Sequence, residues 1–118
     1  MPNALLLGTV PELLEQRRQA FEAAGYDVRI AHDLKSALRI VGAAPCDVIV
    51  IGHAVGERAR TSLARTLKAK PRPPKIICLY LAAIRNAEEA DAVLQVTSGV
   101  QGLVRTADLL IDAAADGH

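Results

Sequence analysis

The stretch Asp47-Val48-Ile49-Val50-Ile51 follows one acidic residue with four aliphatic residues and no polar break. A strand with one wet face alternates apolar with polar, so an unbroken run belongs to a central strand of a parallel sheet, covered on both faces. On either side of it, short apolar runs alternate with amphipathic stretches, the pattern of consecutive βαβ units. Five such pairs fill the chain and predict an α/β domain: a doubly wound parallel sheet in order 2-1-3-4-5 with helices on both faces.

Upstream of that strand, Asn3 to Leu7 reads as the first strand. Thr9 and Glu12 have the spacing of a capping box with Pro11 in the first turn, so a helix follows. Val10, Leu13, Leu14, Ala20, Phe21 and Ala24 form its apolar stripe, and Gly25 ends it. Asp27 to Ala31 alternates as an edge strand does, with Val28 and Ile30 on one face. Asp33 is placed to cap a second helix carrying Leu34, Ala37, Leu38 and Val41, stopped by Gly42 and Pro45.

Downstream, a loop from Gly52 to Gly56 precedes a third helix over Glu57 to Lys68 with a thin stripe of Ala59, Leu63 and Leu67. Pro71, Pro73 and Pro74 force an extended approach to the fourth strand, Lys75 to Leu79. A short helix around Ala82 to Ala90 leads to the fifth strand, Asp91 to Val96. Val100, Leu103, Val104, Ala107, Leu110, Ile111 and Ala114 recur at spacings of three and four behind a Ser98/Gln101 capping box, which makes Gly99 to Ala115 a helix.

Composition excludes several classes. The 118 residues, 51% hydrophobic and 23% charged, fit one folded domain, and a net charge of +1 disfavours a polyanion binder held by bulk field. With no Trp, one Phe and two Tyr, stacking platforms for bases are nearly absent, so nucleic acid is disfavoured further. No apolar stretch approaches the ~20 residues that cross a bilayer, and Met1 to Leu7 has no positive n-region. The expectation is a single cytoplasmic domain without membrane attachment or output domain. Cys46 and Cys78 are too few for a disulfide scaffold. Placed in neighbouring strands they would be offset by about four residues, roughly 13 Å at ~3.3 Å per residue, beyond reach of a disulfide.

These residues resemble the receiver domain of bacterial response regulators. The Leu5-Leu6-Leu7-Gly8-Thr9-Val10-Pro11 stretch is similar to that family's first strand and following proline, and Gly25-Tyr26, Ala31, Ala37-Leu38 and Asp47 stand where family positions do. The likeness runs from residue 3 to about residue 80 and is weaker beyond Tyr80. It implies the receiver fold and a two-component signalling context. In that family an acidic pair binds Mg²⁺, an Asp ending the third strand is phosphorylated, a Thr or Ser ends the fourth strand and a Lys the fifth. Laid on this chain, the acidic pair falls on Gly8 and Thr9, the phosphoacceptor on Gly52, the hydroxyl on Leu79, and the Lys on Val96 or its neighbour Gln95. No acidic residue lies between Met1 and Glu12 or between Asp47 and Glu57, and no Lys follows Lys75, so no small shift of register restores the set. Acyl-phosphate chemistry needs a carboxylate nucleophile and a hard cation needs oxygen ligands, so no enzyme activity, metal or cofactor is expected.

His53 follows the acceptor position, but without a sequence-adjacent carboxylate, Cys or second His it has no activating partner. Gly8-Thr9 at a strand-to-helix turn supplies one glycine where a nucleotide fingerprint has three, and no P-loop Lys follows. Charge is distributed unevenly. From Glu57 to Lys75 seven basic residues stand against one acidic, +6 locally, while the remainder holds seven basic and twelve acidic, −5. Arg58, Arg60, Arg65 and Lys68 thus mark a face for an acidic protein partner such as a histidine kinase, another regulator or an output protein. Arg85, Glu88, Arg105, Asp108 and Asp112 form a mixed-sign face suited to a homodimer. The residues thus predict a phosphorylation-independent interaction module. The alternative is a small-ligand or nucleotide sensor using the crevice at the C-terminal ends of strands one and three.

Overall fold

The computed structural model describes residues 2–80, 90–96 and 99–116. Strands β1 (Asn3–Leu7), β2 (Asp27–Ala31), β3 (Val48–Ile51), β4 (Lys75–Tyr80) and β5 (Ala92–Gln95) form one sheet in the order β2-β1-β3-β4-β5, and every pair is parallel. Helices α1 (Pro11–Ala23), α2 (Leu34–Ala43), α3 (Glu57–Lys68) and α4 (Gly99–Asp116) connect or follow them. The helix expected over Ala82 to Ala90, with Arg85 and Glu88, lies outside the described residues except for its last position, as does Ser98. No helix among the described residues is long and apolar enough to cross a membrane.

The period of two in each strand divides the core into two layers. Ala4 and Leu6 of β1, Val48 and Val50 of β3 and Ile77 of β4 pack with Leu14 and Phe21 of α1 and Leu103 and Ala107 of α4. Leu5, Leu7, Ile49, Ile51, Ile76 and Cys78 face the other way, against Ala37 and Val41 of α2 and Leu63, Ala64 and Leu67 of α3. All four residues of β3 are buried, which is why its sequence has no polar position. Each such aliphatic side chain contributes about 1.5–3 kcal/mol of burial. The two aromatic rings of the first layer, Phe21 and Tyr26, meet edge-on at 4.9 Å.

Local signals account for most boundaries. Asp33 caps α2, its Oδ1 accepting the Ser36 N–H at 2.7 Å. This bond holds the carboxyl below the usual carboxylate range. Gly25, just past α1, has φ +93°, a left-handed conformation that glycine adopts without cost. The Thr9 capping box does not form: Val10 is the N-cap of α1 with no side-chain bond, and Pro11 opens the helix. Helix α2 passes through Gly42 to Ala43 and ends because Ala44, at φ −150° and ψ 151°, is held extended ahead of Pro45.

Two aspartates tie the N-terminal edge of the sheet. Asp47 lies just outside β3, where its carboxylate accepts the Asn3 N–H at 2.7 Å. Asp91, expected to begin the fifth strand, precedes it; it accepts the Ile76 N–H at 2.7 Å and pairs with Lys68 at 3.2 Å. Cys78 lies level with Ile51 in the β3–β4 register, five residues beyond Cys46 and not four, and the two cysteines form no disulfide.

Candidate functional site

In an open parallel sheet, ligands enter at the C-terminal strand ends, where the winding reverses between β1 and β3. Ala31, Leu7, Ile51, Cys78 and Val93 form one row across the sheet, so Gly8, Gly52, Leu79 and Leu94 form the row above it. Gly8 donates its N–H to Ala31 O at 3.2 Å and Gly52 donates to Leu7 O at 2.8 Å, which extends the ladder one residue past each strand. The register thus brings Gly8, Gly52 and Leu79 together. Thr9 is exposed, Gln95 is level with Tyr80, and Val96 lies beyond the end of β5, half-buried against the core.

The crevice is filled from α1, by a residue that is not one of the expected site residues. Arg17 of α1 is only 6% exposed, the one buried charged residue among those described. A Cβ on Gly52 would stand 3.4 Å from Arg17 Nη1 and 3.1 Å from Leu7 O, and a Cβ on Gly8 would stand 3.9 Å from the same nitrogen. The two glycines leave room for the guanidinium. Among the described residues no hydrogen bond or ion pair holds it, and burial alone pulls the Arg17 pKa down. The signal was in the sequence: position 17 is three past Leu14 and four before Phe21, so an arginine occupies the apolar stripe of α1.

His53 sits in a turn closed by Val55 N–H to Gly52 O at 3.1 Å. Its Nδ1 is buried without a hydrogen-bond partner among the described residues. Nor, among the described residues, do three His, Cys, Asp or Glu side chains come together as a metal would require. The receiver family's Mg²⁺ does not fit this crevice. Its row of Gly8, Gly52 and Leu79 offers no carboxylate oxygen, and a guanidinium already places positive charge beside it.

On α3, Arg58, Arg65 and Lys68 are exposed and Arg60 is half-buried. Arg58 and Arg65 flank a shallow recess with Thr61, Ser62 and Thr66, whereas Lys68 is engaged with Asp91. On α4, Arg105, Asp108 and Asp112 are exposed. Asp108 turns toward α1 and β2, where it accepts the Tyr26 hydroxyl at 2.7 Å, and this divides the expected mixed-sign face.

No protein-family model matches the sequence, nor does any curated protein. Solved structures do. A response regulator receiver domain protein from Clostridium thermocellum superposes with a TM-score of 0.86 at 18% identity, covering 100% of both chains. The receiver domain of the Francisella response regulator 1452 gives 0.83 at 22% identity, covering 97% of this chain and 99% of that one. The signal receiver domain of a signal transduction histidine kinase from Syntrophus aciditrophicus gives 0.79 at 18% identity, covering 96% and 92%. Sheet order, register and these superpositions together establish that this chain has the fold of response-regulator receiver domains.

Proposed function

We propose that this chain is a receiver-type signalling module that acts by docking onto a protein partner, without phosphorylation and without enzyme activity of its own. The observation that carries the reading is the Arg17 guanidinium beside Gly8 and Gly52. A receiver that turns over an aspartyl phosphate needs a carboxylate nucleophile and a divalent cation at that place. Here a fixed positive charge and two glycines stand instead, and neither group can form an acyl phosphate. Signalling output then comes from surfaces. The face of α3 with exposed Arg58 and Arg65 and half-buried Arg60 offers positive charge to an acidic surface on a histidine kinase, a regulator or an output protein, and its association rate falls as salt rises. A cytoplasmic location fits such partners.

The test has two arms. After incubation with Mg²⁺ and a small phosphodonor, the intact mass stays that of the unmodified chain; a phosphoryl adduct refutes phosphorylation independence. Charge reversal of Arg58, Arg60 and Arg65 to Glu abolishes capture of a partner that the wild-type chain retains at low salt, and unchanged capture refutes the docking face. A second reading, a ligand sensor, is favoured by one feature, the buried guanidinium without a counter-charge among the described residues.

A further inference from the structure

Arg17 lines a recess of about 160 Å³ beside the crevice. Its walls are largely aliphatic, with Leu79 of β4, Leu94 of β5 and Leu103 of α4 among them, and Gln95 and Gly99 contribute polar edges. Gly99 is the first residue of α4, and the first N–H groups of a helix have no intrahelical acceptor and favour negative charge. A largely buried guanidinium with no counter-charge among the described residues has lost hydration, and a charge-assisted bond to a ligand anion offsets that loss. The recess falls below the roughly 300–1,000 Å³ of sites for drug-sized ligands, which disfavours a nucleotide. A phosphate ion, polar on every side, finds poor company among leucines. A carboxylate on a short aliphatic body satisfies both the charge and the walls.

We infer that the recess between α1, α4 and the ends of β4 and β5 is a binding site for a small aliphatic carboxylate, its oxygens held by the Arg17 guanidinium and its hydrocarbon body seated against Leu79, Leu94 and Leu103. This inference stands independently of the docking reading, because the α3 face and the recess share no residue. It names the ligand class of a sensor and places the ligand against α4, the helix that would carry its effect.

The probe is 3-methylbutanoate at neutral pH, compared with its uncharged amide and with inorganic phosphate, by thermal shift and calorimetry. Saturable binding of the carboxylate is expected, raising Tm by about 10 °C at a hundredfold excess over Kd. The amide and phosphate give no saturable shift. Arg17→Met weakens carboxylate binding at least tenfold, whereas Arg18→Met on the exposed side of α1 leaves it unchanged. Gly52→Asp is the second variant. It places a carboxylate next to Arg17 Nη1, with its Cβ 3.1 Å from Leu7 O, so the internal anion competes and binding weakens, and circular dichroism checks that the fold is kept. Equal shifts with acid and amide, binding retained in both Arg17→Met and Gly52→Asp, saturation by phosphate in place of the carboxylate, or no response to the carboxylate each overturn the inference. Loss of partner capture with the Arg58 face reversed leaves these outcomes untouched, so the two readings fail separately.

Discussion

Replacing Arg17 with Met should make this protein more stable. The side chain is 6% exposed, has no counter-charge among the described residues, and burial depresses its pKa, so folding desolvates a cation with little returned. Met keeps an unbranched stem in the same buried position and removes the charge. Exchange of buried charged groups for apolar ones of similar volume ranges from neutral to about 1–4 kcal/mol stabilising. Because the guanidinium borders a recess and keeps some access to water, the lower part applies: about 1–2 kcal/mol, or roughly 4–8 °C in Tm for a domain near this size. Urea unfolding followed by circular dichroism reads it as a higher midpoint at unchanged slope. Arg17→Ala, which also deletes the stem, should fall below Arg17→Met. An Arg17→Met protein less stable than wild type by 1 kcal/mol or more would show that the guanidinium is well satisfied, and the reasoning would fail.

Other groups give simpler expectations. Burial first, then the bond to Asp108, raises the Tyr26 phenol pKa, so its contribution is complete below the ordinary phenol pKa of about 10 and lost as pH rises further. Tyr26→Phe should cost about 1 kcal/mol at neutral pH and flatten the decline in stability above pH 10. Asp33→Ala removes the α2 cap and lowers Tm. Because the Asp33 carboxyl is held low by the Ser36 N–H, wild type keeps this advantage above the ordinary carboxylate range and loses it as pH falls through the folded-state value, which melting curves across acid pH will show. Burial pushes the Cys46 thiol up to about 11, and it bonds Val48 O at 3.1 Å. Neither Cys46 nor buried Cys78 should react with a thiol reagent near neutrality until the chain unfolds, and rapid labelling of the native state would contradict the core packing.

The architecture was legible because it follows from local periodicity. The unbroken run Val48–Ile51 declared a strand covered twice, and the recurrence from Val100 to Ile111 declared a helix; both appear as read. Asp33 announced its helix because capping is a contact between residues three apart. Thr9 carried the same signal and did not cap, since with Pro11 opening the helix it is Val10 that takes the N-cap position. The site was harder to read. Arg17 interrupts an apolar stripe, a visible anomaly, but its proximity to Gly52 arises only when α1 folds over β1 and β3. The partners of Lys68 and Asp108 stand 23 and 82 residues away, and no pattern along the chain connects them. Position alone made both look like surface charges ready for a partner.

The central claim is that a guanidinium, not a metal-binding carboxylate cluster, occupies the C-terminal crevice of this receiver fold. Backbone amide resonances of Gly8, Gly52 and His53, recorded through a Mg²⁺ titration at constant ionic strength and again after adding a phosphodonor, test it directly. The account predicts that all three stay in place at every concentration. A saturable displacement of Gly8 and Gly52 by Mg²⁺ would contradict it.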